Sequence, residues 1–537
     1  MKRWNGWGDD HTYLPVSAET RDFLHTALGP ATPPRDVPLT HVTELVPKSR
    51  LPHHALVLTS AEVRARHARG QSFPDLIATR SGRDLAFPDG VAFPQNTDDV
   101  RDLMRYATHA GAVIIPYGGG TSVAGHVNPP ATLRPVLTIS LERMNQLLHH
   151  DDASQLATFQ AGVTGADLEA ALRARGHTLG HFPQSFEYST LGGWVATRSS
   201  GQQSLRYGRI EELFAGGTVV TPSGDLKLAP FPASAAGPDL RHVILGSEGR
   251  AGILTEAVVR VSRLPDVERF EAAFFPDWAS GTATVRSLAQ ARVPLSMLRL
   301  STPNETTTNL ILAGHRAAVR ALETYLSVRG VRNGRCMLVF GVTGTRADAK
   351  FASARAGAII AQHGGVRVGP KLGAAWHKGR FRTPYLRNSL WEAGYGVDTL
   401  ETATTWDRVD ATLEAVESAL RGALAGEGER VHVFTHLSHV YRSGSSLYTT
   451  FVFRLASTPD ETLRRWQLLK HAASTAIVRT GATISHQHGV GRDHAPYLAS
   501  EKGALGMRVL RSALSPLDPT GSLNPGALLH EEADAPA

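Results

Sequence analysis

Three short stretches of this chain strip side chains from the backbone where a ligand would need close approach. Gly118, Gly119 and Gly120 run into Thr121 and Ser122, one residue after the apolar run "AVIIP" at 112–116. Gly192 and Gly193 precede Thr197, Arg198, Ser199 and Ser200, and a third cluster, "GSEGRAG", spans 246–252. Bare backbone in tight turns presents several N–H groups to one anion, so a phosphate-bearing molecule is the expected ligand. Neither a P-loop nor a dinucleotide fingerprint is present: no Lys-Ser/Thr follows the last glycine, and no G-x-G-x-x-G opens a helix.

Side chains able to do chemistry lie elsewhere. Tyr448 sits in "GSSLYTTFVF", Arg387 in "YLRN" stands 14 residues before Glu401, and Arg299 lies in "MLRLS". A phenol is a weak base near neutral pH unless cations favour the phenolate, whereas arginine is always charged and grips phosphate or carboxylate through two N–H groups. His486 and His488 flank Gln487, so an extended backbone puts both rings on one face. There they could donate to phosphate or shuttle protons. Two ligands without a third do not make a metal site, and none is expected. His436 and His439, in "FTHLSHVYRSG", read as strand or loop histidines with a possible substrate role.

Elements must hold these groups in place. Residues 97–110 space Val100, Leu103, Met104 and Ala107 as a helix behind a Thr97 cap, and Gly111 ends it before a buried strand. Residues 164–180 repeat that plan, with a helix closing at Gly176. "GGTVVTPSG" reads as a hairpin and "ILTEAVVRVSRL" as an alternating strand. After Pro265 longer helices and strands follow without glycine clusters. The expected organisation is an N-terminal helical segment (1–84), a ligand-binding domain (85–264), a second domain (265–455) and a C-terminal segment (456–537) folding back on the first domain.

The chain has 537 residues, 42% of them hydrophobic, and a formal net charge of +7. Such a length divides into two to four domains. Its basic residues are scattered among acids without a Lys/Arg block, which argues against nucleic acid and leaves a small acidic ligand or lipid headgroups as partners. No apolar run approaches the roughly 20 residues of a membrane helix, and the charged, aromatic start does not read as a signal peptide. Cytoplasmic residence is expected, and the lone Cys336 suits a reducing compartment as a buried apolar residue.

The order PYGGGTS, STLGGWVATRSSG, GSEGRAGILTE resembles the FAD domain of the vanillyl-alcohol oxidase and p-cresol methylhydroxylase flavoproteins. "RWNGWG" at 3–8, "EYSTLGGWVATRSSG", "YLRN" with "LETATTWDR" downstream, and "ISHQHGVG" at 484–491 are closer still to alkyldihydroxyacetonephosphate synthase. The resemblance implies an α/β (α+β) fold: a two-subdomain, PCMH-type FAD-binding domain with an antiparallel-sheet cap over the flavin. It implies an FAD pocket built from Pro116, Tyr117, Gly118, Gly119, Gly120, Thr121 and Ser122. Gln184, Ser185, Phe186, Glu187, Tyr188, Ser189 and Thr190 form its second wall. Thr197, Arg198, Ser199 and Ser200 join Glu248, Gly249, Arg250, Ala251, Gly252, Ile253 and Leu254 to complete it. Relatives that tether flavin through this loop place a histidine where Thr121 stands, so FAD is expected to be noncovalent.

The activity so implied is exchange of the acyl group of acyl-dihydroxyacetone phosphate for a fatty alcohol, in ether-lipid synthesis, without net electron transfer. Tyr448, His486 and His488 are then catalytic, with Tyr448 taking the C1 proton; Arg387, Arg299 and His439 bind substrate, Arg387 through its phosphate. The synthase has three consecutive histidines where this chain has Gln487, which removes a titratable group. Related 2-hydroxyacid dehydrogenases carry Gly-Asp-Gly-Asn between metal-binding histidines near His436 and His439, and this chain does not. The alternative is nonetheless an FAD-linked oxidoreductase acting on a carboxylated 2-hydroxyacid; a flavin-binding protein without turnover would leave these polar positions idle. A homodimer and peripheral membrane contact complete the expectations.

Overall fold

The structure is a computed structural model that describes residues 2–312, 314 and 316–530. Near the N-terminus β1 (Val57–Leu58), β2 (Gly90–Ala92), β3 (Val113–Tyr117) and β4 (Val136–Ser140) form a sheet in the order β1-β2-β4-β3. β2, β4 and β3 run parallel, and their residues are buried with few exceptions. The helix before β3 spans Thr97–His109 and is capped by Asn96, whose side chain accepts from the Asp99 N–H. The cap therefore falls one residue earlier than the sequence reading placed it, because Asn96, not Thr97, has the extended backbone a cap requires.

A second sheet begins with β5 (Leu147–Asp151) and β6 (Leu156–Gln160); β7 (His177–Thr178) stands aside. β8 (Phe214–Thr221), β9 (Gly224–Leu228) and β10 (Ile253–Arg260) complete the order β5-β6-β10-β8-β9, and β11 (Ser262–Arg263) pairs with β7. β8 and β9 are the expected hairpin, and β10 alternates buried and half-buried residues as its sequence does. Between them, helix Leu191–Thr197 starts at Thr190, whose hydroxyl accepts from the Gly193 N–H, and ends at Arg198 in the left-handed region.

The rest of the chain builds a seven-stranded, wholly antiparallel sheet. Its strands are β12 (Val267–Phe275), β13 (Met297–Ser301), β14 (Cys336–Gly344), β15 (Val366–Gly369), β16 (Tyr395–Thr405), β17 (His432–Val440) and β18 (Gly444–Arg454), in the order β15-β12-β14-β13-β17-β18-β16. Strand period two sends Val433, Leu437, Phe451 and Phe453 to the helix-covered face. His432, Phe434, His436, Tyr448, Thr450 and Val452 face the other way. Helix Pro459–Arg479 joins the cap core through Trp466 and Leu469. Helix Ala495–Leu514 and the segment to Leu529 join the first core through Leu498, Met507, Leu523 and Leu529, and the Ile114 N–H donates to the Ser522 carbonyl. The two halves are thus sewn together by the chain's last part.

Candidate active site

The three glycine segments meet. A methyl group on Gly119 would overlap the carbonyl of Tyr188, and one on Gly249 would press against the Pro116 ring at 2.9 Å. Their lack of side chains lets the loop after β3, the turn at 183–190 and the loop before β10 stack as three adjoining walls. These walls bound one end of a cavity of about 850 Å³. Pro116 to Ser122, Gln184, Ser185, Ser189, Thr190, Thr197, Ser199, Ser200, Glu248, Gly249 and Ala251 to Leu254 all line it. Phe186, Glu187, Tyr188, Arg198 and Arg250 stand behind the wall. A long surface of bare backbone and small hydroxyls suits a pyrophosphate-bearing dinucleotide, so the residues present fit FAD. Glu248 lines the cavity, but its carboxylate turns inward to accept from the Val490 and Gly491 N–H groups.

Beyond the glycine walls the cavity runs along the open face of the seven-stranded sheet, where register sets out three rows. Glu401, Tyr448 and His436 pair across β16, β18 and β17; two residues on come Thr399, Thr450 and Phe434, then Val397, Val452 and His432. Helix Ala18–Leu28 packs over the last two rows through Val16, which precedes it, Phe23 and Leu24. The first row is wholly ionisable, and the next two mix Phe434, Val397 and Val452 with Thr399, Thr450 and His432.

Tyr448 is held at the polar end. Its hydroxyl donates to Gln184 Oε1 at 3.3 Å and lies 3.4 Å from Thr399 Oγ1, its ring stacks on His436 at 4.9 Å, and His488 meets it edge to face at 5.8 Å. Burial pushes the phenol up to about 12, with Glu401 and Asp398 adding to the effect and the Thr399 hydrogen bond and Arg387 only partly opposing it. It stands as a neutral phenol, a donor. Arg387, on helix Leu386–Glu392, lines the same chamber and donates through Nη1 to the Gln71 carbonyl at 2.6 Å. Its Nη2 is buried with no partner among the described residues, a state that costs about 1–3 kcal/mol until an acceptor arrives. Burial lowers its pKa, yet a guanidinium stays charged there.

Glu401 anchors the histidines. Gln487 Nε2 donates to it at 2.6 Å and His486 Nδ1 lies 3.0 Å away; His488 and His439 follow at 3.8 and 3.9 Å. Burial alone would raise this carboxyl, but His486, His439 and His488 together hold it well below the usual carboxylate range. His439 and His488 line the cavity, whereas His486 stands behind it. Burial pushes His439 down to about 3 and lowers His488, so both are neutral. Glu401, His439 and His486 place possible ligand atoms within 4.8 Å of one another. However, Arg209 donates to His486 Nε2 at 3.1 Å, which puts the ring proton on Nδ1, facing Glu401. That nitrogen then has no lone pair for a cation.

A second carboxylate and imidazole pair was not legible in the sequence. Glu305, in the first turn of helix Pro303–Leu312, accepts from Arg299 Nη2 at 2.6 Å and faces His436 Nδ1 at 2.9 Å. All three line the cavity. Arg299 is thus both a wall residue and half of an ion pair.

Against known proteins, residues 88–228 match an FAD binding domain model and residues 264–528 the C-terminal domain model of FAD linked oxidases. The alkyldihydroxyacetonephosphate synthase of Trypanosoma brucei brucei is 30% identical over 98% of this chain and 92% of its own. The chain belongs to the alkyldihydroxyacetonephosphate synthase family. The Dictyostelium discoideum synthase is 31% identical over 87% of this chain and 77% of its own. A solved alkyldihydroxyacetonephosphate synthase superposes with a TM-score of 0.83 at 26% identity, covering 98% of each chain. The cofactor is FAD, and the fold is the FAD-binding domain with antiparallel cap that the resemblance implied. Like its relatives in this family, the chain is an FAD-dependent enzyme.

Proposed function

We propose that the chain is an alkylglycerone-phosphate synthase, which exchanges the acyl group of acyl-dihydroxyacetone phosphate for a fatty alcohol. The observation that carries this reading is the continuity of one cavity. It joins the glycine walls to a chamber holding Arg387, Tyr448 and His488, and then to a trough lined by Val16, Phe23, Leu24, Leu310, Phe434 and Val452. A phosphorylated head and a long apolar tail each find matching chemistry. When bound, FAD supplies a ring able to give and take an electron pair at the substrate carbon. The free Nη2 of Arg387 binds the phosphate, and its charge is unaffected by working pH.

Tyr448 keeps its catalytic place as a hydrogen-bond donor to the substrate oxygens, in the protonation state its burial sets. His488, neutral and edge-on to that phenol, is the acceptor for the C1 proton. His486 acts behind it by holding Glu401, and His439 borders the head of the substrate. Thr121 offers the flavin no imidazole, which supports noncovalent FAD. The family resemblance supports a homodimer. Peripheral membrane contact is supported by exposed Tyr13 and Leu312 beside the trough, and no described helix is long and apolar enough to cross a membrane.

The test is direct. Purified yellow protein, kept under argon without an electron acceptor, should release fatty acid from acyl-dihydroxyacetone phosphate and form an ether with added hexadecanol. Bleaching of the flavin by D-lactate alone, with no acid release, would replace the reading with a hydroxyacid dehydrogenase.

A further inference from the structure

Of two carboxylate and imidazole pairs in the cap, Glu305 with His436 lines this cavity and Glu401 with His486 stands behind it, and they differ at the far nitrogen. His486 has Nδ1 on Glu401, and its Nε2 is closed off by the Tyr441 hydroxyl at 2.6 Å and by Arg209. His436 Nδ1 lies 2.9 Å from Glu305 Oε1 and 3.1 Å from Arg299 Nη2; that guanidinium already donates to the same Glu305 oxygen at 2.6 Å, so the ring proton on Nδ1 faces the carboxylate, and no described residue meets Nε2. His436 lines the cavity. It lies two residues after Phe434 on the same face of β17, next to the end of the trough lined by Phe434 and Val452. An alcohol whose tail fills the trough therefore has its hydroxyl at this ring.

We infer that His436 is the general base that takes the hydroxyl proton of the incoming fatty alcohol, with Glu305 as the positioning residue that fixes its ring; this rests on the synthase reading above. The net exchange balances around it. A bond forms between the alcohol oxygen and C1, and the bond between C1 and the acyl oxygen breaks. The carboxylate leaves with that electron pair. One proton remains, from the alcohol, and His436 Nε2 holds it before release to solvent.

The surroundings agree with a resting imidazole that is free to accept. Burial and Arg299 lower the pKa of His436, and Glu305 and Glu401 only partly oppose them. Glu305 itself is held ionised: burial would raise it, but His436 and Arg299 prevail. The charged or titratable groups facing the ring are Arg299 from β13, Glu305 from the helix beyond it, Tyr448 from β18, Glu401 from β16 and His439 further along β17.

A base for the alcohol is needed only when the nucleophile carries a proton. Fatty acid arrives as carboxylate, so exchange of labelled fatty acid into acyl-dihydroxyacetone phosphate bypasses the step. The experiment compares His436→Gln with the wild-type holoenzyme in both reactions, with FAD content and melting temperature measured alongside. Ether formation should fall about 100-fold or more while acid exchange stays within about threefold. Glu305→Gln, which keeps the shape and removes the charge, should slow ether formation less and displace its pH profile. Equal ether rates in His436→Gln and wild type would overturn the inference and leave the synthase reading standing. Equal loss of both reactions with FAD bound would also overturn it. A wild-type protein inert to acyl-dihydroxyacetone phosphate would sink the synthase reading and this inference with it.

Discussion

Gln487 donates through Nε2 to Glu401 Oε2 at 2.6 Å and accepts from the Ser200 N–H at 3.3 Å. This glutamine thus ties the cap's buried carboxylate to the glycine-rich wall. A hydrogen bond to an ionised group is worth about 1.5–3 kcal/mol. Gln487→Leu should lose about that much stability in urea unfolding of the holoenzyme, and Gln487→His should lose less than half as much. Equal midpoints for Leu and wild type would show that the contact contributes nothing.

Arg387→Lys keeps a charge but loses the fork, and Arg387→Ala loses both. With Gln71 already holding Nη1, the Lys variant should raise KM for acyl-dihydroxyacetone phosphate by 10-fold or more with kcat changed less. A substrate lacking the phosphate should show no difference between the variants. A fall in kcat at constant KM would move Arg387 from binding to the chemistry.

Gly119→Ala tests the bare wall. Its methyl would meet the Tyr188 carbonyl, so the loop must shift and flavin uptake should fail, leaving a colourless protein. Gly426→Ala, where nothing lies within 4 Å, should take up FAD as the wild type does. Denaturation in acid should release all the flavin into the supernatant if Thr121 marks noncovalent binding.

Asp493, beside Arg492 in the loop that receives Glu248, supplies a pH test. Burial pushes its carboxyl up to about 7, Asp75 and Asp398 add to the effect, and Lys470 and His126 only partly oppose it. Its Oδ2 has no partner among the described residues. A raised folded pKa stabilises the fold below the unfolded value of 3.8, and that contribution is lost as pH rises through about 7. Asp493→Asn should therefore be more stable than wild type at pH 8, by on the order of a few kcal/mol, and indistinguishable near pH 4. Denaturant midpoints at the two pH values decide it.

How much of this was legible beforehand depends on range. The glycine clusters spoke for themselves, because a missing side chain signals close approach whatever lies opposite. Arg387, Tyr448 and His488 entered through motif resemblance, and the structure sets all three around one chamber. Glu305 could not be seen. It follows Thr302 by three residues, the spacing of a capping box, and Thr302 Oγ1 does accept from its N–H at 3.3 Å. Its carboxylate turns away, to a histidine 131 positions on. That contact depends on β13 pairing with β17, Ser301 opposite His436, and no local pattern announces a pairing between strands so distant in sequence. The same limit hid the contact of the Tyr188 hydroxyl with Tyr385 and the inward turn of the Glu248 carboxylate.

The rows of β16, β18 and β17 also act as a ruler. Same-face residues on a strand stand about 6.6 Å apart. A head group seated at His436 therefore carries its tail past Phe434 and on to the His432 and Val452 level at fixed intervals of several methylenes. Length preference would then be written in strand register, and enlarging one rung, as by Val452→Phe, would shorten the chains accepted without disturbing the head.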